Sequence, residues 1–539
     1  MKRAHTLVVL YYLFGAGIYK LYVKKKNYSR LLKTSIFATG LSGIVAEYIL
    51  ATTASYFLGD SVFQWTIILS LMLFAMGLGS RFSKKIETNL IESYILLEFL
   101  LSIITSFSII LIYTLMPIIS GLDVVIYVMS ILVGFLIGME IPLVTRINGE
   151  YEALKTNISG MMENDYYGSL VGGLFFAFIG IKFLGLTYTP FVVGGINLAV
   201  ALFLFYSFRP FIPKKSVKKL TILGGVISVC FVLGIIFSNP IVKHGNQSRF
   251  HEKVVFTKQT PYQQITITKW RDNHQLYLNQ GKQLSTFDEW LYHEPLVHPV
   301  MSLTKGPVDV LVMGAGDGCA LRELLKYDRV KSITLVDLDS AMTNIGKLHP
   351  IFRKLNQDAY FSKKVKVVNT DAFHYLETNT LFFDVIIADF PDPRSVELNK
   401  LYSNEFYRLC KQSLTSNGAI ITQSTSPFYT THTFKCIEKT LQNAGFNTLP
   451  IHNHVYSFGE WSWIIGSKKL SNQQIKSTIR NMDVNQIENL KWLTKESLLL
   501  LTSFGKDLVK VDTAEIRVNS IHNPVAYKYY EKGDWSFEF

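Results

Sequence analysis

Seven apolar runs, at 34–58, 62–79, 93–116, 124–145, 166–184, 188–208 and 220–237, fill most of the first 240 residues. A helix of about 20 apolar residues crosses a bilayer, so the series predicts a multi-pass α-helical membrane domain over 34–240. Small residues recur in the runs (Gly77/Gly79, Gly134/Gly138, Gly172/Gly173), as close helix packing requires. Ahead of them, 6–22 is apolar with basic flanks and no small-residue cleavage site. It reads as an extra span or an interfacial anchor within an N-terminal segment, 1–33. After Pro240 the pattern changes. Residues 254–270 and 275–278 alternate as strands do, which predicts a small antiparallel β domain over 250–305, completed by an amphipathic helix at 286–300. Short apolar runs at 308–313, 333–336, 364–368, 383–388, 419–422 and 461–466 then alternate with helical patterns. That order predicts an α/β Rossmann-like fold of the methyltransferase type over 306–470. A helical tail, 471–539, completes the chain and carries no assigned chemistry.

The first strand of the α/β region runs into Gly314-Ala315-Gly316-Asp317-Gly318, then a helical pattern, then a second strand ending in Asp337. Strand, glycine turn, helix, strand and acid make up the nucleoside-binding half of a doubly wound sheet. The glycines admit a ligand close to the backbone, and the acid can accept from two ribose hydroxyls. Asp317 inside the turn would repel a pyrophosphate but suits a cation such as an S-adenosyl sulfonium. As a helix N-cap it would serve equally well. Asp337, Asp371 and Asp389 all stand at strand carboxyl ends, where open α/β sheets bind ligands.

Charge sharpens the membrane reading. The net charge is +13, and +10 of it falls before residue 251, mostly between apolar runs. The basic balance therefore reflects topology and makes no case for nucleic acid. Lys and Arg cluster at 20–33, 81–85, 146–155 and 209–219, while the loops at 59–61, 117–123 and 185–187 have none. The positive-inside rule places the clustered loops in the cytoplasm; seven crossings would then put the C-terminal half on the opposite face, and the last crossing stays undecided. Glu47, Glu98, Glu140 and Asp165 lie in or beside the runs. Each is a functional candidate as an intramembrane acid, with capping or bonding to a neighbouring helix near the interface as the plain alternative; Glu47 and Glu140 keep both readings, whereas Glu98 and Asp165, near the starts of their runs, take the plain one. Cys230, Cys319, Cys410 and Cys436 show neither pairing nor metal spacing.

Asp389-Phe390-Pro391-Asp392-Pro393 sets two carboxylates three residues apart on a proline-stiffened loop at a strand tip. Carboxylates so placed suit a cationic amine, one binding it and the other accepting a proton. With these pieces in hand, 254–468 resembles the spermidine synthases, the polyamine aminopropyltransferases. The matching residues are Tyr262-Gln263, Asp288-Glu289, Tyr292-His293-Glu294, the glycine turn, Asp337, Asp371-Ala372 and Asp389 to Pro393. With its seven runs, the whole chain resembles the membrane-fused branch of that family.

The resemblance implies decarboxylated S-adenosylmethionine as co-substrate, a diamine such as putrescine as acceptor, no metal or other cofactor, and a cell-membrane location. Small molecules and the lipid bilayer are then the partners, with homo-oligomerisation left open. It implies that Gln263, His293 and Asp317 hold the aminopropyl side of the donor, Asp337 its ribose, and Asp371 with Ala372 its adenine. Tyr292 and Asp392 would line the amine channel, and Asp389 would be the base. His293 and Tyr292 also have plain structural readings, as a satisfied histidine and a core aromatic. Asp288, Glu289 and His298 read as structural or solvated. Three departures from the family pattern stand out: Asp337 where Glu is usual, Phe390-Pro391 in the base loop where Ser or Thr is typical, and VYSFGEW at 455–461 where an amine-binding Tyr-Pro is expected. In place of that contact, Glu460, beside Phe458 and Trp461, is a candidate partner for the far ammonium. Two other readings share the features: an S-adenosylmethionine-dependent N-methyltransferase, and a membrane transporter or sensor whose soluble domain binds polyamine or nucleoside.

Overall fold

The apolar runs form helices: α1 (Lys2–Leu58), α2 (Ser61–Ser83), α3 (Leu90–Leu115), α4 (Leu122–Asn148), α5 (Leu154–Phe175), α6 (Gly185–Phe208) and α7 (Lys214–Ser248). They make up the first of two compact units, Met1–His251 and Glu252–Phe539. The computed structural model describes residues 2–59, 61–119, 121–279, 281–505, 509, 511–512 and 514–534, with side chains from residue 27 onward. Among these, six helical stretches are long and apolar enough to cross a membrane. The predicted runs 166–184 and 188–208 share one of them, a 58-residue stretch, 154–211. A π-helical segment, Phe176–Leu184, joins α5 to α6, and Gly185, at φ 64° and ψ −174°, breaks the helix without a loop. At about 1.5 Å per residue this stretch far exceeds one crossing of ~30 Å. The helical pattern also continues through Pro240 to Ser248, so the change of character comes later than the sequence indicates.

Glycines decide where these helices touch. A methyl on Gly79 would collide with the Phe135 carbonyl, one on Gly138 with the Met76 carbonyl, and one on Gly172 with the Leu41 carbonyl. Gly77 faces open space and Gly173 has ordinary clearance, so only one member of each of these two pairs is a packing glycine. Glu98 is wholly buried in α3 rather than interfacial. Among the described residues, neither of its carboxyl oxygens has a hydrogen-bond partner, and Glu140 leaves one without.

The second unit starts with an antiparallel sheet of β1 (Lys253–Gln259), β2 (Gln264–Trp270), β3 (Asn273–Leu278) and β4 (Gly281–Ser285), in that order. The sequence reading lacked β4, whose five residues show no alternation. Helix α8 (Trp290–Met301) leads to β5 (Val308–Gly314), α9 (Cys319–Leu325), β6 (Val330–Asp337) and α10 (Ser340–Leu348). Strands β7 (Val365–Asn369), β8 (Phe383–Asp389), β9 (Leu414–Gln423), β10 (Asn447–Val455) and β11 (Gly459–Ser467) complete a seven-stranded sheet, ordered β10-β11-β9-β8-β5-β6-β7. β5 to β9 pair in parallel, and β10 and β11 are antiparallel. This is the Rossmann-like arrangement expected. β10 escaped sequence reading because Pro450 interrupts it; as an edge strand it tolerates the missing donor. Side chains of β5 alternate between two cores, Val310 and Val312 on one face, Leu311 and Met313 on the other. A sheet buried on both faces explains why its central strands read as unbroken apolar runs.

Candidate active site

Strand order reverses between β5 and β8, and parallel register sets Gly314 beside Asp389. Such a switch point opens a crevice above the strand ends. Gly314 turns there at φ 78°, and a Cβ on it would collide with the Asp389 carbonyl, so only glycine lets the two loops meet. The glycine turn is held from behind. Tyr360 donates its hydroxyl to the Gly316 carbonyl (2.6 Å), and Asn356 Nδ2 donates to the carbonyls of Asp317 and Gly346 (both 2.8 Å).

Asp317 Oδ1 accepts from the Cys319 amide at the start of α9 (2.7 Å) and lies 3.7 Å from His293 Nε2. Capping and ligand binding are therefore compatible. On the buried face of α8, His293 Nδ1 meets the Glu289 carbonyl (2.9 Å) and Oε2 (3.0 Å). Burial disfavours its charge, but the Glu289 hydrogen bond and the charges of Asp317, Glu289 and Asp389 raise its pKa to about 9. Glu289 is in turn clamped by Arg322, through Nη1 and Nη2 at 2.9 Å each. Despite burial, these partners lower its pKa to about 2. So Glu289 is structural and buried, not solvated. Among the described residues, Glu289, His293 and Cys319 present ligand atoms within 4.8 Å of one another. Arg322 already holds the Glu289 carboxylate, His293 Nδ1 faces Glu289, and burial drives the Cys319 thiol pKa well up.

At the tip of β6, Asp337 Oδ1 accepts from the Asp339 amide (2.8 Å). Burial first, with Asp339 and Asp317 adding repulsion, raises its pKa to about 6. Asp339, missed by sequence reading, caps α10 through Ala341 (2.9 Å), and its Oδ2 accepts from Thr260 Oγ1 (2.9 Å) and Gln263 Nε2 (3.0 Å). The turn between β1 and β2 thereby ties Gln263 to Asp339, two residues from Asp337. Asp371 caps the helix Ala372–Thr378, accepting from Phe373 (2.8 Å) and His374 (3.1 Å), and pairs with Lys400 Nζ (2.5 Å). Ala372 is buried in that first turn.

Asp389 stands partly exposed at the end of β8 and accepts from the Tyr292 hydroxyl (2.5 Å). Removal from water raises its pKa to about 6, against the pull of His293 and the Tyr292 hydrogen bond. Tyr292 lies edge-on to Trp463 (centroids 5.1 Å apart) and near Phe458 (6.3 Å). Asp392 is buried; its Oδ1 accepts from Gln423 Nε2 (2.8 Å) and its Oδ2 from the Tyr530 hydroxyl (2.9 Å). The loop between the acids is bolted down. Gln423 Nε2 and the Tyr402 hydroxyl reach the Phe390 carbonyl (3.0 and 3.2 Å), and Tyr402 also reaches that of Pro391 (3.0 Å).

The structure thus gathers Asp317, His293, Asp389 and Tyr292 in one cluster, ties Gln263 to Asp337 through Asp339, and seats Asp392 three residues beyond Asp389. It does not bring in Glu460. That side chain pairs with His452 Nδ1 and lies 3.5 Å from His454 Nδ1. Strand pleating explains this: Trp461 and Trp463 share the face toward α8, and Glu460 takes the other. The 455–459 turn is instead pinned by Asp288, which accepts from Ser457 N (2.7 Å) and Oγ (2.8 Å). His298 serves Tyr327 and Glu323 (both 2.8 Å). Gln423, Tyr402 and Tyr530 were invisible in sequence, since none lies in a motif and each acts across the fold.

Residues 289–477 match the family described as spermine/spermidine synthase domain. A protein named polyamine aminopropyltransferase from Leptospira interrogans is 35% identical over 508 residues, 94% of this chain and 98% of the relative. Polyamine aminopropyltransferase 2 of Aquifex aeolicus is 38% identical over 505 residues, 94% of this chain and 99% of the relative. A spermidine synthase solved in complex with the transition-state analogue AdoDATO superposes with a TM-score of 0.42 at 24% identity, covering 48% of this chain and 87% of that one.

Proposed function

The chain belongs to the polyamine aminopropyltransferase family, and from that premise we propose a membrane-anchored enzyme that transfers the aminopropyl group of decarboxylated S-adenosylmethionine to a diamine such as putrescine, giving spermidine and methylthioadenosine. In this reading 34–240 anchors the enzyme in the cell membrane; the apolarity and length of its helices support that. Residues 250–305 and 306–470 together build the site.

The amine lone pair attacks the carbon next to the sulfonium. The new N–C bond forms as the C–S bond breaks, and its electrons neutralise sulfur. The nitrogen must shed a proton, and Asp389 takes it, oriented by the Tyr292 hydrogen bond at 2.5 Å. A base with a pKa of about 6 is ionised at neutral pH yet basic enough to accept. Asp317 pairs with the cationic side of the donor, with His293 fixed beside it. Asp337 takes the ribose, with Gln263 held at its rim. Asp371 and Ala372 face the adenine, and Asp392 takes the far ammonium. The leaving group is already a cation that departs neutral, so no metal is required.

The observation that carries this reading is Asp389 at the switch point, register-paired with the glycine turn and bonded to Tyr292. Purified full-length protein given decarboxylated donor and putrescine should yield methylthioadenosine and spermidine by mass spectrometry. Turnover with S-adenosylmethionine and a methylated amine as product would establish the N-methyltransferase instead. Binding without turnover would leave a sensor or transporter. Resistance of the protein to alkaline extraction from membranes tests the anchor.

A further inference from the structure

The matched family domain ends at residue 477, yet the chain beyond it returns to the site. Asn519 Nδ2 donates to the carbonyls of Asn399 (3.1 Å) and Tyr402 (3.0 Å), and its Oδ1 accepts from Ala526 N (3.2 Å). The Tyr527 amide donates to Asn399 Oδ1 (3.1 Å), and the Asp534 amide to the Tyr429 carbonyl (2.9 Å). These bonds dock the helix Val525–Glu531 against the segment that follows the base loop. They leave Tyr530 buried against Asp392.

The hydrogen-bond roles there are forced. Arg394 Nε donates to the Tyr530 hydroxyl (3.0 Å), and a guanidinium cannot accept. The single phenolic proton therefore points to Asp392 Oδ2, at 2.9 Å. Arg394 Nη2 stands 3.5 Å from the same oxygen, and its guanidinium carbon lies 5.7 Å from the Tyr530 ring centre. Behind Asp392 there is thus a phenol wall backed by a fixed positive charge.

We propose that Tyr530, delivered by the C-terminal segment outside the family domain, is a specificity-determining residue that closes the far end of the acceptor pocket and fixes Asp392 for the distal ammonium. This rests on the aminopropyltransferase reading above. It assigns the tail the role that the Tyr-Pro missing from 455–461 would otherwise fill. With Gln423 on one oxygen and Tyr530 on the other, Asp392 has a single orientation. A longer diamine would drive its second ammonium toward Arg394.

The test is steady-state kinetics of the full-length protein with diamines of three, four and five carbons, for wild type, Tyr530→Phe and Tyr530→Ala. Losing a hydrogen bond to a charged group should raise the amine KM of Tyr530→Phe by roughly 10–100-fold, with the donor KM within about twofold. Tyr530→Ala should also move the preference toward longer diamines. A purely structural tail would lower activity without separating amine KM from donor KM. Amine KM values and length order unchanged in both variants would overturn the inference. Should Tyr530→Ala fail to fold, the near-isosteric Phe variant decides alone. A wild type that makes no methylthioadenosine with any amine would overturn the aminopropyl reading and this inference together; an active wild type with unaltered variants overturns only the latter.

Discussion

The two units bury acids in opposite ways. In the unit from Glu252 onward, Glu323 meets His298 (2.8 Å), Arg322 (2.7 Å) and Lys326 (2.7 Å), and Glu294 accepts from the amides of Lys491 (2.7 Å), Trp492 (3.1 Å) and Leu493 (2.9 Å). In the helical unit, Glu98 and Glu140 are also buried, yet among the described residues three of their four carboxyl oxygens have no hydrogen-bond partner. The difference lies in the backbone. Loops and strand ends of an α/β fold leave amides free to serve a carboxylate, as 491–493 do for Glu294. Helices spend their amides internally, so an acid among them depends on side-chain donors alone. Solvation of charge is thus a by-product of one architecture and a problem for the other.

Within the second unit, a proton-accepting acid should be one with no paired cation. Asp389 has Tyr292, while Glu289 and Glu323 each have at least two cationic partners. Asp389→Asn keeps the shape and removes the base, so kcat should fall by roughly 10²–10⁴-fold with little change in donor binding. The sign of the pH dependence follows from its pKa of about 6. Raised from the usual carboxylate value, the folded-state carboxyl keeps its proton up to that pH. Wild-type kcat at saturating amine should therefore drop about tenfold per unit below it, and the Asn variant should lack this limb. Near-wild-type turnover by Asp389→Asn would place the base elsewhere.

The next largest effect should come from Arg322, which serves Glu289 and Glu323 at once. Arg322→Met leaves two buried carboxylates short of a partner and should cost about 3–5 kcal/mol of stability, read as a lowered unfolding midpoint in detergent. An unchanged midpoint would show that the network is not structural. It would also break the contrast with the helical unit.

The smallest effect tests that contrast from the other side. Glu98→Met removes an acid that, among the described residues, has no cationic partner, and keeps most of its volume. It should leave the protein as stable as before or more so, by on the order of 1 kcal/mol. Thermal unfolding in detergent would read this, and a clear loss of stability would mean that Glu98 is held by its surroundings after all.

The chain by itself determined whatever repeats locally. Apolar runs of spanning length, the glycine turn leading from β5 and the acids at the tips of β6 and β8 each follow from residues within a strand or a turn of one another, so periodicity and composition reveal them. Even the failures there were local: Pro450 hid an edge strand, and the π-helical segment 176–184 joined two runs into one helical stretch. Tertiary structure alone decided the partners. Glu460 and Trp461 are adjacent in sequence, and only the pleat sends one to His452 and the other toward Tyr292. Gln423 and Tyr530 both reach Asp392, from 31 and 138 residues away. A hydrogen bond across that separation leaves no trace in the local pattern of either partner, because side-chain type sets what can bond and the fold sets what meets.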